Sequence, residues 1–209
     1  SFLLTGILSP DYVDRTGDGI TDDDLGTAVK FNYQKLNGNY QWRTPYENQK
    51  ASYNEGIVAD GKDDKASYVY GVKEVWYLNA IESKTMVAVF ETSDREDALG
   101  VQNAAGGVNT SLKMKKLDAI KLYAKADLQK ANNDINQATP IKTVHFEYDY
   151  SICPNVLNNS GNGVDKAGGA VTPGSPEDVN AAKGKLTLKK IYFTFGKNSR
   201  GMTYPYEFT

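Results

Sequence analysis

Val144-His145-Phe146-Glu147-Tyr148-Asp149-Tyr150-Ser151-Ile152 alternates apolar and polar residues without a break. Successive side chains of an extended strand point to opposite faces. Val144, Phe146, Tyr148, Tyr150 and Ile152 therefore share one face, and His145, Glu147, Asp149 and Ser151 share the other. The pattern predicts a strand whose aromatic face is buried and whose polar face, His145 included, meets solvent.

The same period recurs on both sides of it. Tyr68 to Ile81 reads as one central strand, with Tyr68, Tyr70, Val72, Trp76, Leu78 and Ala80 in phase. A turn at Glu82-Ser83-Lys84-Thr85 leads to Met86–Phe90, apolar on both faces as a sandwich or covered sheet requires. Val29, Phe31 and Tyr33 alternate with Lys30, Asn32 and Gln34, and Asn37-Gly38 predicts a hairpin back along Tyr40 to Arg43. Residues 2–8 form an opening strand that Pro10 ends, and Lys113 to Ala124 forms another strand.

Downstream, the apolar phase of Leu186 to Phe195 changes between Leu188 and Ile191, which predicts a bulge at Lys189-Lys190. Tyr204 to Phe208 is expected to pair with that strand and to leave an open edge, and its aromatic ending suggests a piece of a longer polypeptide. Helix is expected only as one turn at Ser93-Asp94-Arg95-Glu96-Asp97 and as a short segment from Asp127 to Asp134. Thr44 to Lys65 and Gly106-Gly107-Val108-Asn109 read as loops, and 153–184, rich in Asn, Gly, Pro and Ser, as a flexible insertion at a hairpin tip.

Fourteen tyrosines, seven phenylalanines and nineteen glycines fit strands joined by polar turns. The expected fold class is all-β, mainly antiparallel sheet or a sandwich of long hairpins, with one or two short helices in a single domain over 1–209. Twenty-four basic against twenty-six acidic residues leave no electrostatic footprint for nucleic acid. No apolar run reaches the length of a membrane span. The single cysteine, Cys153, excludes an internal disulfide but fits both reducing and surface locations.

One stretch has a spacing that asks for a specific chemistry: Asp14-Arg15-Thr16-Gly17-Asp18-Gly19-Ile20-Thr21-Asp22-Asp23-Asp24. A hard cation takes six to eight oxygens, and a chain curling round it presents alternate side chains. Asp14, Thr16 and Asp18, the Ile20 carbonyl and Asp22 form such a series, with Gly19 making the turn, so calcium is the expected ion. Leu25 stands where an EF-hand places its bidentate Glu, so the loop is not an EF-hand. The shorter pattern resembles the calcium loops of thrombospondin type 3 and FG-GAP repeats, which tie down connections in extracellular β-rich proteins. The alternative is an acidic turn whose side chains cap their own backbone.

Two phrases recur: Val75-Trp76-Tyr77-Leu78-Asn79-Ala80-Ile81 with Val87-Ala88-Val89-Phe90, and Leu117-Asp118-Ala119-Ile120 with Ile141 to Tyr148. Leu188-Lys189-Lys190-Ile191 with Pro205-Tyr206-Glu207-Phe208 repeats them, and Tyr148-Asp149 supplies a YD dipeptide. The units resemble the hairpins of RHS/YD-repeat proteins and the regions preceding those repeats in very large secreted bacterial proteins. The resemblance implies an extracellular or cell-surface sheet that encloses or presents something else, without an active site.

Catalytic sets are sparse. His145 and Cys153 lie eight residues apart on one extended run, roughly 26 Å, too far to form a nucleophile and its base. One His and one Cys do not make a zinc site. Glu147 and Asp149 share a strand face, as a glycosidase would present its pair, but also as any solvated edge would present them. The expected function is therefore a non-catalytic, calcium-stabilised structural module of a large secreted or cell-surface protein, partnered by the remainder of a longer polypeptide or a surface assembly. The alternatives are a glycan-binding, adhesin-like module using Tyr40, Trp42 and Arg43, or Tyr46 and Tyr53, and a subunit of a secretion or attachment assembly, which a large exposed apolar patch would support.

Overall fold

The computed structural model describes residues 2–36, 38–44, 68–104, 106–153, 163–164, 170–171 and 184–208. In chain order the elements are β1 (Gly6–Leu8), β2 (Ala28–Lys35), β3 (Tyr40–Thr44), β4 (Val69–Lys73), β5 (Trp76–Glu82), β6 (Met86–Asn103), β7 (Gly106–Ala124), α1 (Lys125–Lys130), β8 (Lys142–Ile152), β9 (Gly163–Val164), β10 (Ala170–Val171), β11 (Lys185–Phe195), a 3₁₀ turn (Arg200–Thr203) and β12 (Tyr206–Glu207). Eight of the strands form one antiparallel sheet in the order β1-β2-β5-β6-β7-β8-β11-β12, while β3 pairs with β4 and β9 with β10 in two small ribbons. The mainly antiparallel β class is as the alternation requires.

Register decides which residues share a face, because directly opposed residues of antiparallel strands project to the same side. One cross-strand row runs Phe31–Ile81–Ala88–Leu122–Lys142–Phe195. A second runs Phe90–Ile120–Val144–Phe193, and a third Phe146–Ile191–Tyr206. With Ile7 opposite Val29, one side of the sheet is apolar from its first strand to its last. The other side carries Asn32–Ala80–Val89–Lys121–Thr143–Thr194 and Glu91–Ala119–His145–Tyr192.

Burial departs from the expected sidedness near the middle of the sheet, although Glu147 and Ser151 on the polar face of β8 are exposed as expected. Ala80, Ala119, Tyr123 and Thr143 are buried, and all four lie on the mixed, charge-bearing side. The Tyr123 hydroxyl donates to the Ile135 carbonyl, so the turn after α1 lies over this side. The residues of the apolar rows are half-buried, and at the sheet margins Ile7, Phe195 and Tyr206 are more than half exposed. His145 is half-buried: its ring stacks on Tyr192, centroids 4.5 Å apart, and its Nε2 lies 2.9 Å from Thr194 Oγ1.

Other expectations change for local reasons. Tyr68 to Ile81 is not one strand: β4 leaves to pair with β3, and β5 enters the large sheet beside β2. The turn containing Gly38 (φ +83°) therefore passes the chain from one sheet to another and closes no hairpin. Ser93–Asp97 continues β6 without a helical turn, and Gly106–Asn109 belongs to β7. The helix at Asp127 begins two residues earlier and ends in a turn with Asn132 and Asn133 at positive φ, a conformation that asparagine tolerates. The bulge at Lys189 is present, since Leu188 faces Tyr148 while Lys190 faces Glu147. The terminal strand pairs with β11 as expected and lies at the sheet edge. Thr44 is the last residue of β3; the rest of the expected Thr44–Lys65 loop and most of the 153–184 insertion fall outside the described residues, although β9 and β10 form a pairing within the latter.

Candidate functional site

The acidic loop lies at the base of the sheet. Paired main-chain bonds between Val13 and Leu25, both 3.1 Å, close it into a ring, and Gly17 (φ +76°) and Gly19 (φ +89°) supply the backbone conformations its turns need. Gly26 (φ +76°) completes the neck, where a Cβ would stand 2.4 Å from the Asp11 carbonyl oxygen.

The five expected ligands divide into two groups. Asp14 accepts from the backbone N–H groups of Gly17 at 2.6 Å and Gly19 at 3.0 Å, and Thr16 donates to Asp18 at 2.6 Å. The Ile20 carbonyl instead accepts from Lys30 Nζ at 3.2 Å, and Asp22 pairs with Lys125 Nζ at 2.5 Å. Asp14, Thr16 and Asp18 thus stay within one turn, while the other two oxygens face ammonium groups. As placed, the five oxygens are divided between one turn and two lysines, and among the described residues no group of three or more His, Cys, Asp or Glu gathers in metal-binding geometry. Asp14 caps backbone N–H groups of its own turn.

Asp24 organises the ring, a role the spacing argument did not give it. It is buried, and it accepts from Tyr12 Oη at 2.7 Å, Thr21 N at 2.9 Å and Arg15 N at 3.2 Å. The Thr21 N–H, followed by the Tyr12 hydroxyl, holds its carboxyl below the ordinary value, while the hydrogen bond to Asp24 pushes the Tyr12 phenol up to about 12. The sequence signal is the placing of Asp24 next to Leu25 at one end of the ring and of Tyr12 next to Val13 at the other.

Lysines from three places hold the ring against the sheet. Lys30 reaches Ile20, Lys125 reaches Asp22 and, at 3.6 Å, Glu82, and Lys84 reaches the carbonyls of Asp24 and Gly26. Between ring and sheet lies a recess of about 260 Å³ lined in part by Tyr12, Ile20, Lys30, Glu82 and Lys125. Lys125 pairs there with Asp22 and Glu82, while Lys30 donates to the Ile20 carbonyl.

The remaining candidates separate. Cys153 is exposed at the end of β8, while His145 is engaged with Tyr192 and Thr194. Burial and the Lys121 ammonium lower the His145 pKa from its ordinary value of 6.5. Glu147 lies opposite Lys190, and Asp149 accepts from Ser151 N at 3.0 Å. Tyr40 is buried, with its hydroxyl on the Ala98 and Leu99 carbonyls, and Trp42 lies against Gly71, so neither belongs to an exposed stacking row. Arg43 is buried with its guanidinium 4.3 Å from the Tyr68 ring centroid, and Tyr46 and Tyr53 lie outside the described residues. Among the described residues, no helix is long and apolar enough to cross a membrane.

Comparison with protein-family models, with curated proteins and with solved structures gave no match.

Proposed function

We propose that this chain is a non-catalytic structural module of a large secreted or cell-surface protein, an extended sheet whose apolar side is completed by protein packed against it. The observation that carries the reading is the set of apolar rows crossing all eight strands, on the side opposite the one that the turn after α1 covers. Half-exposed aliphatic and aromatic rows of this extent favour association, because their removal from water is worth about 25 cal/mol per Å². The charged chemistry lies on the opposite side and is largely spent on itself: Lys121 pairs with Glu91 at 2.6 Å, and Lys190 with Glu207 at 3.2 Å. The extracellular address rests on the resemblance of the hairpin phrases to those of surface proteins.

The test compares an apolar dye with a glycan array. This reading predicts bright dye fluorescence from the folded chain at high dilution and no retained glycan. Specific glycan capture by a chain that leaves the dye dark would replace it with the adhesin reading.

A further inference from the structure

We propose that the apolar side of the sheet is covered by a second copy of the same chain, face to face, so that two eight-stranded sheets become the two layers of a sandwich. This rests on the structural reading above and names its partner. Three observations favour a second copy.

The first is extent. Eight strands about 4.8 Å apart span about 38 Å, and the one to three same-side residues per strand, about two on average, add about 13 Å. The patch is then about 500 Å² on each copy, about 1,000 Å² in all, at the lower limit of a specific interface.

The second is charge. Lys142 is the one ionisable cation in the three rows, and it lies over Phe193 and Phe195, 4.2 and 5.6 Å from their ring centroids. A face with its charge already spent on its own rings asks for an apolar counterpart, and the same face on another copy is one. A polyanion or a charged peptide would find nothing to pair with.

The third is relief. In the second row Phe90 and Phe193 flank the smaller Ile120 and Val144, giving two projections and a hollow that a two-fold copy can interdigitate at the roughly 10 Å spacing of packed sheets.

Sedimentation velocity of the full chain tests the proposal. The expected result is a dimer at micromolar concentration, and Ile120→Lys should raise its dissociation constant about 100-fold while the circular dichroism spectrum is retained. Val144→Thr keeps a strand-forming residue and should weaken the dimer in the same direction, should Ile120→Lys fail to fold. The open edge needs a control. Ser9 N bonds Thr27 O and Phe31 N bonds Thr5 O, so the alternation of the ladder turns the Leu8 N–H outward. Leu8→Pro therefore blocks edge-to-edge pairing without removing a ladder bond, and it should leave the dimer intact. A dimer lost in Leu8→Pro and kept in Ile120→Lys overturns the proposal in favour of edge pairing. A wild-type monomer that binds the apolar dye overturns the second copy and leaves the structural reading standing; a monomer that leaves the dye dark overturns both. A monomer that floats with neutral phosphatidylcholine vesicles overturns it in favour of a membrane surface.

Discussion

Tyr12 closes the acidic ring by donating its hydroxyl to Asp24 at 2.7 Å, beside the main-chain pair formed by Val13 and Leu25. The phenol is raised in the fold, so its contribution is complete below the ordinary value of 10.0 and is lost as pH rises through about 12. The Asp24 carboxyl is lowered, so its contribution is present above its ordinary 3.8 and is lost as pH falls beneath it. Tyr12→Phe should lower the melting temperature at neutral pH and remove the most alkaline step from an ultraviolet titration of the tyrosines. An unchanged titration would show that Tyr12 is not the raised phenol.

The lysines that hold the ring predict its response to ions. A chelator should leave the melting temperature unchanged, because Ile20 and Asp22 are engaged by Lys30 and Lys125. Lys125→Met should cost about 1 kcal/mol or less, in keeping with a partly exposed ion pair, and raised salt should reproduce part of that loss. A melting temperature that falls in chelator and recovers with calcium would restore the cation site that the spacing suggested.

Asp97 is the buried carboxylate that joins distant strands. Arg95 donates to both its oxygens, at 2.9 and 2.7 Å, and Leu186 N donates at 3.1 Å, so β6 is tied to β11. Burial pushes the carboxyl up, but Arg95 and the Leu186 N–H outweigh it and hold the group below its ordinary value. Asp97→Ala should destabilise by about 2–3 kcal/mol in urea unfolding, since it strands a half-buried guanidinium and a main-chain donor. A loss below about 0.5 kcal/mol would show that the tie is not formed in solution.

His145 should give the fold a mildly acidic sensitivity. Its folded-state pKa is lowered from 6.5, chiefly by burial and then by Lys121, with Glu91 and Glu147 opposing. Stability from the neutral ring is present above 6.5 and lost as pH falls through the lower folded value. His145→Gln should flatten the stability profile over that interval and leave the loss at more acid pH, where carboxylates protonate. An identical profile in the variant would place the titrating group elsewhere.

Much of the strand pattern was legible because alternation fixes phase. The β5–β6 hairpin, β8 and the bulge at Lys189 follow from residue order alone. Phase does not say which face will be covered. That depended on the chain after Tyr123 turning onto the side that carries Thr143 and His145, and nothing within β8 records it. The break between β4 and β5 was hidden for a related reason: Tyr68 to Ile81 keeps one apolar phase across Glu74, and only pairing partners far away in sequence divide it. In the acidic loop the spacing located the turn and its glycines. The lysines that engage Ile20 and Asp22 come from β2 and α1, beyond the reach of any local motif.

Carbene footprinting with mass spectrometry over a dilution series measures directly whether the apolar side of this sheet is the side left for another protein. Phe90, Ile120 and Val144 should label strongly in dilute solution and progressively less as concentration rises, while Tyr123 stays protected throughout. Protection of Phe90, Ile120 and Val144 at the highest dilution, or labelling of Tyr123 in the folded chain, would contradict that reading.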